Sequence, residues 1–170
     1  MPQGSVLGPL LFCIFINDLL LNITNDIVVC DLFADDNSIH SCGSDLHSVQ
    51  TFLQEGLNDV SKWCNQNRMV IPPHKTKCMV LTTRQKHQRR PLTLNLTLGK
   101  IPIQLVHEHR VLGVITDEKL KWQSHIDNIC KHLSKNLFLL SQLRHCVGSN
   151  ARKIFFQAYL LSHINYASTV

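Results

Sequence analysis

A stripe of apolar residues at helical spacing is the feature that most constrains the fold of this 170-residue chain. Between Asp45 and Asn67 the apolar side chains recur at steps of three and four, which places them on one face of an α-helix. Shorter β-branched and aromatic runs stand on both sides of this segment and have the length of strands. A long amphipathic helix between short strands predicts a mixed α+β fold.

The segments nearest the N-terminus fit this fold class. Leu10–Leu21 is largely apolar and predicts a buried helix, with Ser5 as its N-cap. Ile27–Phe33 and Ser38–His40 predict the two strands of a hairpin around a turn at 34–37. Five later runs predict short strands in a small antiparallel sheet or a pair of hairpins, namely Met69–Ile71, Cys78–Thr82, Leu92–Leu98, Ile101–Val106 and Val111–Ile115.

Two helical segments follow these strands. Apolar residues return to helical spacing over Trp122–His145, and another helix is predicted from Asn150 to about Leu161. The change of period near Thr116 is the one subdomain boundary that the pattern predicts. It divides the chain into a first domain, residues 1–115, and a helical second domain, residues 116–170.

Length and composition are those of a globular protein with a single main core. About 100–200 residues is the usual size of one domain, and 44% hydrophobic with 17% charged residues is close to the globular average. The longest apolar run, Val6–Ile16, contains Gly8 and Pro9 and is too short to span a bilayer. We therefore expect an intracellular protein of the nucleus or cytoplasm. Its seven cysteines lack C-x-x-C spacing, which favours free thiols over disulfides or zinc.

Charge is divided sharply along the chain. Residues 1–61 contain eight acidic residues and no Lys or Arg, whereas the rest contains 17 basic and four acidic residues. The division predicts one part that collects cations and another that meets a polyanion, because Lys and Arg bind phosphates by displacing condensed counterions. The alternative is a solvated surface that happens to be lopsided.

Two adjacent carboxylates in the predicted hairpin are the sharpest local feature. Asp35 and Asp36 fall where the chain reverses, and a tight turn can aim carboxylates at a hard divalent cation. Taken alone, an Asp-Asp pair in a turn is more often only turn chemistry.

The residues around this pair resemble a known family. Phe33–Asp36 lies about 20 residues after a segment, Pro2–Phe12, that reads PQGSVLGPLLF, and Ile16–Leu19 reads INDL. Together they resemble motifs B and C of the reverse transcriptases of non-LTR (LINE-type) retrotransposons. Later segments resemble motifs D and E and the start of the thumb, namely Lys75–Val80, Leu112–Val114, Leu120–Trp122 and His125–Ile126.

The resemblance implies a fold and an activity. The fold would be a partial polymerase palm of antiparallel hairpins with packed helices, followed by a helical thumb-like segment. The full-length parent would be an RNA-directed DNA polymerase that uses Mg²⁺, an RNA template, a DNA primer and dNTPs. No membrane partner and no particular oligomeric state is implied.

The resemblance also implies roles for individual residues. Asp35 would bind the catalytic Mg²⁺ ions with Asp36 as its partner, and Phe33 would lie near the primer end. Gln3, Gly4 and Ser5 match the loop along the template and incoming nucleotide, where a glycine lets the backbone approach a substrate. Lys75 matches the lysine that assists the pyrophosphate leaving group.

One part of the family pattern lies outside residues 1–170. Two-metal nucleotidyl transfer needs carboxylates around cations about 3.5 to 4 Å apart, and one of them belongs to motif A, upstream of motif B. Asp31 is about 13 Å from Asp35 along a strand and cannot replace it, and neither Asp18 nor Asp26 is an evident substitute. We therefore expect this chain to be inactive alone, with an unpaired hairpin edge.

Two other functions stay open at this point. The first is a non-catalytic nucleic-acid-binding module that grips a duplex backbone with a set of basic residues, namely Lys131, Lys135, Arg84, Lys86, Arg89 and Arg90. The second is a remnant of a mobile element without a selected function. Salt-dependent binding without synthesis would select the first, and poor folding of the isolated chain would favour the second.

Overall fold

The computed structural model describes residues 5–83 and 93–168. Two compact units divide the chain. The first comprises the described residues of Met1–Val80 and Gln85–Val106, and the second comprises those of Leu81–Arg84 and His107–Val170. Helices and short two-stranded sheets alternate in the chain, so the α+β expectation is confirmed at the level of fold class.

The first unit contains two helices and six strands. In chain order they are α1 Leu7–Leu21, β1 Val28–Phe33, β2 Asp36–Ser41, α2 Leu46–Gln66, β3 Lys77–Cys78, β4 Thr97–Leu98, β5 Ile101–Pro102 and β6 Gln104–Leu105. Strands β1 and β2 form an antiparallel hairpin, and so do β4 and β5. The predicted hairpin and the predicted helix over 45–67 are therefore confirmed.

Helix α1 begins at Leu7, before the predicted Leu10, and is less buried than its composition predicts. Val6 is the N-cap residue and makes no side-chain capping bond, while Ser5 contributes only its carbonyl oxygen, 3.3 Å from the amide of Gly8. The prediction of Ser5 as N-cap is therefore wrong. Pro9 is tolerated in the first turn because its missing N–H would have no helical acceptor there. Only Ile16 and Leu19 are buried, so most of this apolar helix is exposed.

Helix α2 organises the first unit. The Asp45 carboxylate accepts a hydrogen bond from the backbone N–H of Ser48 at 3.0 Å, which satisfies one free amide of the first turn. These bonds hold the pKa of Asp45 below its ordinary value. One stretch of α2 packs in a core with α1, formed by the buried residues Ile16, Leu19, Val60, Trp63 and Cys64. Another packs in a second core, whose buried residues are Leu94, Leu96, Leu98 and Ile103.

The remaining strands of the first unit are shorter than predicted. Met69–Ile71 forms no strand, and the runs after it pair over only two residues each. The expectation of purely antiparallel pairing is wrong for β3 and β6, which are parallel. The chain between them makes the β4–β5 hairpin before it returns, and such a long connection allows two strands to run in the same direction.

The second unit begins with another hairpin. Strands β7, Glu108–Val111, and β8, Val114–Asp117, pair antiparallel. The continuous strand predicted over Val111–Ile115 is wrong because the chain turns at Leu112 and Gly113, with φ angles of 47° and 88°. Gly113 relieves this turn, since glycine adopts a positive φ without steric cost.

Helices complete the second unit. They are α3 Gln123–Leu143, α4 Ser149–Phe156, a π-helical turn at Gln157–Leu161, and α5 Ser162–Asn165. Both predicted helical segments are confirmed, and the π-helical turn interrupts the second. The side-chain amide of Asn136 donates to the carbonyl oxygen of Tyr159 within that turn at 2.9 Å, which satisfies a backbone group at an irregular turn of helix. Within the described residues, no helix is long and apolar enough to cross a membrane.

Candidate active site

The tip of the β1–β2 hairpin brings the two adjacent carboxylates to the surface. Phe33 pairs with Asp36 across the strands, which leaves Ala34 and Asp35 as a two-residue turn. Ala34 has a φ of 54°, in the left-handed region that non-glycine residues rarely occupy. A strained backbone at a hairpin tip costs free energy and is more often kept at functional sites than elsewhere.

Both carboxylates are free to bind a ligand. Asp35 and Asp36 are exposed, and neither side chain makes a hydrogen bond or ion pair with any other residue in the described part of the chain. Phe33 is 65% exposed beside them. Because cross-strand partners project to the same face of a sheet, the Phe33 ring and the Asp36 carboxylate lie on one side of the hairpin.

A third acidic residue shares that face but is already engaged. Asp31 lies two residues before Phe33 and is paired with Ser38 across the strands. Its carboxylate is 3.4 Å from Nδ1 of His40, and both side chains are more than half exposed. Among the described residues no three His, Cys, Asp or Glu side chains cluster as metal ligands do. The hairpin therefore offers two free carboxylates and a third that is paired with His40.

The opposite face of the hairpin fixes its position on α2. Val28, at the start of β1, is buried, and its Cγ1 would lie only 2.8 Å from a Cβ atom placed on Gly56. A side chain at position 56 would therefore push β1 away from the helix. The sequence pattern missed Gly56, because a glycine inside a helical stripe carries no sign of the strand that approaches it.

Cys30 and Asn37 tie the two strands together near the tip. The Cys30 thiol donates to Oδ1 of Asn37 at 3.0 Å. Burial raises the pKa of the thiol, and the negative charge of Asp31 raises it further, while the hydrogen bond to Asn37 acts in the opposite direction. The net shift is upward, so this cysteine stays protonated at neutral pH and acts as a structural donor.

Two other residues assigned by resemblance, Lys75 and Ser5, lie outside this tip. Lys75 is exposed in the turn before β3, where its backbone N–H donates to the carbonyl of Pro72 at 3.1 Å. Ser5 is exposed just before α1. No hydrogen bond or ion pair between described residues joins either side chain to Asp35 or Asp36. Gln3 and Gly4 lie outside the described residues.

The predicted basic residues fall into two groups. Lys131 and Lys135 are exposed on α3, one helical turn apart. The second group, Arg84, Lys86, Arg89 and Arg90, lies outside the described residues. The proposed role of both groups in nucleic-acid binding stays a prediction.

Asp117 is a second residue whose importance the sequence pattern did not reveal. Its carboxylate accepts backbone hydrogen bonds from Lys119, Lys121 and Trp122 at 2.8 to 2.9 Å. Leu120 and Trp122 in this loop have φ angles of 51° and 62°. One side chain therefore holds the irregular connection from β8 to α3.

Comparison with known proteins agrees with the motifs. The family model described as reverse transcriptase (RNA-dependent DNA polymerase) matches residues 1–122. A retrovirus-related Pol polyprotein from type-1 retrotransposable element R1 2 of Nasonia vitripennis is 27% identical over 143 residues, which are 84% of this chain and 35% of that protein. The RNA-directed DNA polymerase from mobile element jockey of Drosophila melanogaster is 28% identical over 134 residues, 75% of this chain and 14% of that protein.

The chain thus spans about a third or less of the length of these two relatives. A second Nasonia vitripennis relative, the Pol polyprotein from type-1 retrotransposable element R1, is 26% identical over 99% of this chain and 51% of its own length. No solved structure matches the chain.

Proposed function

The chain belongs to the reverse transcriptase (RNA-dependent DNA polymerase) family, and on this premise we propose that it forms the C-terminal palm and thumb of a longer retrotransposon polymerase. In that polymerase it would take part in RNA-templated DNA synthesis from a primer. The relatives that it matches over most of its length are named as mobile-element polymerases or Pol polyproteins, and they are much longer than this chain.

The observation that carries this proposal is the hairpin tip. Two exposed carboxylates, free of partners among the described residues, stand at a strained turn beside an exposed aromatic ring. A purely structural Asp-Asp turn would use its carboxylates to bond its own backbone amides, as Asp45 and Asp117 do. The carboxylates of Asp35 and Asp36 are left available to a ligand instead.

Magnesium fits this donor set. Mg²⁺ prefers oxygen ligands and is commonly bound by one or two carboxylates together with water and substrate phosphates. Asp35 and Asp36 would hold it here, and the remaining ligands would come from elsewhere in the polymerase and from the nucleotide. When bound, the metal would activate the primer hydroxyl and stabilise charge on the leaving phosphate oxygens.

Other residues of the chain would surround the reacting groups. Phe33, exposed on the same face as Asp36, would pack against the primer end. Gln3, Gly4 and Ser5 would lie along the template and the incoming nucleotide. Lys75 would carry positive charge, and a proton, to the pyrophosphate as it leaves. Lys75 needs no fixed orientation for this role before the substrate arrives, because a lysine side chain is long and flexible.

The basic part of the chain, residues 62–170, would hold the duplex. Lys131 and Lys135, exposed on α3, would contact the phosphate backbone of the RNA–DNA duplex, together with Arg84, Lys86, Arg89 and Arg90. The division of charge along the chain supports this arrangement, because the acidic residues 1–61 would repel a duplex except where cations are bound.

Residues 1–170 alone would not polymerise. The hairpin supplies two free carboxylates, and the carboxylate of Asp31 is already paired with His40 at 3.4 Å. The Asp18 carboxylate accepts a hydrogen bond from Nε1 of Trp63 at 3.3 Å, so it serves the core. A third metal ligand would have to come from the longer polymerase.

Primer extension on an RNA template tests the proposed function. The longer polymerase that includes residues 1–170 should extend a DNA primer in Mg²⁺, and Asp35→Asn should abolish extension. Asp31→Asn is the matched control, since it removes the same charge from the same hairpin. We expect that variant to retain activity within about tenfold, the modest effect of losing a remote charge. Equal loss in both variants, or activity that survives Asp35→Asn, would refute the assignment.

A further inference from the structure

A groove between α3 and α4 belongs to the second unit and has no role in the proposed reaction. Its volume is about 590 Å³, and it is lined by one face of each helix. The apolar part of the lining includes Leu137 and Leu140 from α3 and Phe156 from α4. Leu137 is 51% exposed and Phe156 is 40% exposed, so the groove presents apolar surface to solvent.

Cations line the same groove. Arg144 at the end of α3, together with Arg152 and Lys153 on α4, contributes to the lining, and none of the described acidic side chains does so. The Nε atom of Arg152 is buried and has no hydrogen-bond partner among the described residues. A buried guanidinium N–H without a partner loses its hydration and gains nothing in return, so an anionic group that enters the groove would restore the lost bond.

This basic groove is distinct from the lysines proposed to hold a duplex. The residues of α3 that line it recur at 137, 140, 141 and 144, which is one face of the helix. Lys131 and Lys135 lie roughly on the opposite side of α3, because each residue turns the helix by about 100°. Substitutions at the two surfaces can therefore be separated in experiments.

We propose that the α3–α4 groove docks an amphipathic helix of a partner protein, one that carries acidic residues beside an apolar stripe. Its apolar side chains would cover Leu137, Leu140 and Phe156, and its carboxylates would meet Arg144 and Arg152. Arginine binds a carboxylate through two parallel hydrogen bonds, which fixes the orientation of the partner. Amphipathic helices commonly bind in apolar grooves through side chains at helical spacing.

The apolar floor favours a helix over nucleic acid as the occupant. Duplex binding draws its energy from phosphate contacts, which apolar side chains cannot provide. Exposed apolar surface rimmed by charge is instead typical of a protein interaction site. Complementarity of sign points to an acidic partner, since Asp127 is the only acidic residue between Glu118 and the end of the chain.

Fluorescence anisotropy with residues 1–170 tests this proposal. The probe is a labelled peptide of about 18 residues, long enough to form a helix, with Leu at helical spacing and Glu on both flanks. Its controls are a scrambled peptide of the same composition and a single-stranded oligo-dT of similar length. We expect the amphipathic peptide to bind at least about tenfold more tightly than the scrambled one, because only it presents a continuous apolar face. An excess of oligo-dT should not displace it.

Charge reversal locates the binding site. Arg152→Glu should weaken peptide binding by about tenfold or more, as expected when a like charge faces the partner's carboxylates. Lys153→Glu changes an exposed rim position and should act in the same direction without disturbing a half-buried side chain. Lys131→Glu, on the other side of α3, should leave the affinity unchanged. Displacement by oligo-dT, equal binding of the scrambled peptide, or loss of binding in Lys131→Glu would overturn the proposal.

Discussion

At the scale of single residues, contacts that no local pattern reveals decide where the hairpin sits. The Asp35–Asp36 pair is visible in the sequence because a turn and two carboxylates coincide there. Gly56 is not visible, because its importance comes from Val28, nearly 30 positions earlier in the chain. The sequence does not reveal the role of Asp117 for a related reason. Its carboxylate accepts hydrogen bonds from backbone amides whose position depends on an irregular loop.

A double-mutant cycle tests the contact between Gly56 and Val28. Gly56→Ala alone places Cβ at 2.8 Å from Val28 Cγ1, so overpacking should cost about 1–3 kcal/mol. The better helix propensity of alanine offsets up to about 1 kcal/mol of that cost. In a Val28→Ala background the clash disappears, and Gly56→Ala should become neutral or stabilising. Urea unfolding of the four proteins measures the coupling; effects that add within about 0.5 kcal/mol would show that the two residues are independent.

Asp117 gives a pH dependence whose sign follows from its bonds. Burial of its carboxyl acts to raise the pKa, but hydrogen bonds from Trp122, Lys119 and Lys121 and the charge of Lys121 outweigh burial, and the net pKa lies below the ordinary 3.8. A lowered folded-state pKa means that the ionised form stabilises the fold. This contribution is fully present above pH 3.8 and is lost as the pH falls through the folded-state pKa.

NMR titration of the Asp117 carboxyl carbon should therefore give a pKa below that of an unstructured aspartate. Asp117→Asn should lower the stability of the second unit at neutral pH and make its unfolding less sensitive to acid between about pH 2 and 4. A carboxyl that titrates at or above its ordinary value would contradict the role assigned to this loop.

At the scale of elements, sequence periodicity identified the helices better than the strands. A stripe at steps of three and four marks α2 and α3 because the apolar side chains of each helix recur on one face over 21 residues. Of the two helices, α2 contains buried residues and α3 contains none. The strands β3 to β6 are two residues each, too short for alternation to reveal their ends or direction. The turn at Leu112–Gly113 lies inside an apolar run, so its residues have the pattern of a strand.

Helix α3 carries the prediction on nucleic-acid binding. Replacing Lys131 and Lys135 together by glutamine should weaken binding of an RNA–DNA duplex similarly for all sequences. The slope of log K against log salt should flatten by up to about two units, at roughly 0.9 per lost phosphate contact. Lys62→Gln, an exposed substitution on α2, is the control and should leave the slope unchanged. Binding that is insensitive to salt, or a double variant that binds like wild type at low salt, would remove the functional meaning of these lysines.

At the scale of the whole molecule, the sequence reveals the division of charge but not the division into compact units. The units change at Val106–His107, because the β7–β8 hairpin packs with α3, where Ile115 N–H reaches Nδ1 of His125 at 3.4 Å. The change of periodicity near Thr116 does not indicate that the β7–β8 hairpin packs with α3. The palm and thumb domains, residues 1–115 and 116–170, remain a prediction.

The exposed face of α1 also belongs to this scale. Leu7, Leu10 and Ile14 are each about 60% exposed on a helix that is almost wholly apolar. A protein rarely presents such a face to solvent. This exposure supports the proposal that the chain works within a longer polymerase, whose other parts would cover the helix.

Asp35 and Asp36 are the proposed metal ligands, and Mn²⁺ binding tests this role most directly. Manganese accepts the same carboxylate ligands as magnesium and broadens NMR signals of nearby nuclei. Added to residues 1–170, it should broaden the amides of Ala34–Asn37 first. The Asp35→Asn, Asp36→Asn double variant should lose this broadening, and Asp31→Asn should keep it. Broadening centred elsewhere in residues 1–61 would contradict the assignment. Broadening that is unchanged in the double variant would also contradict it.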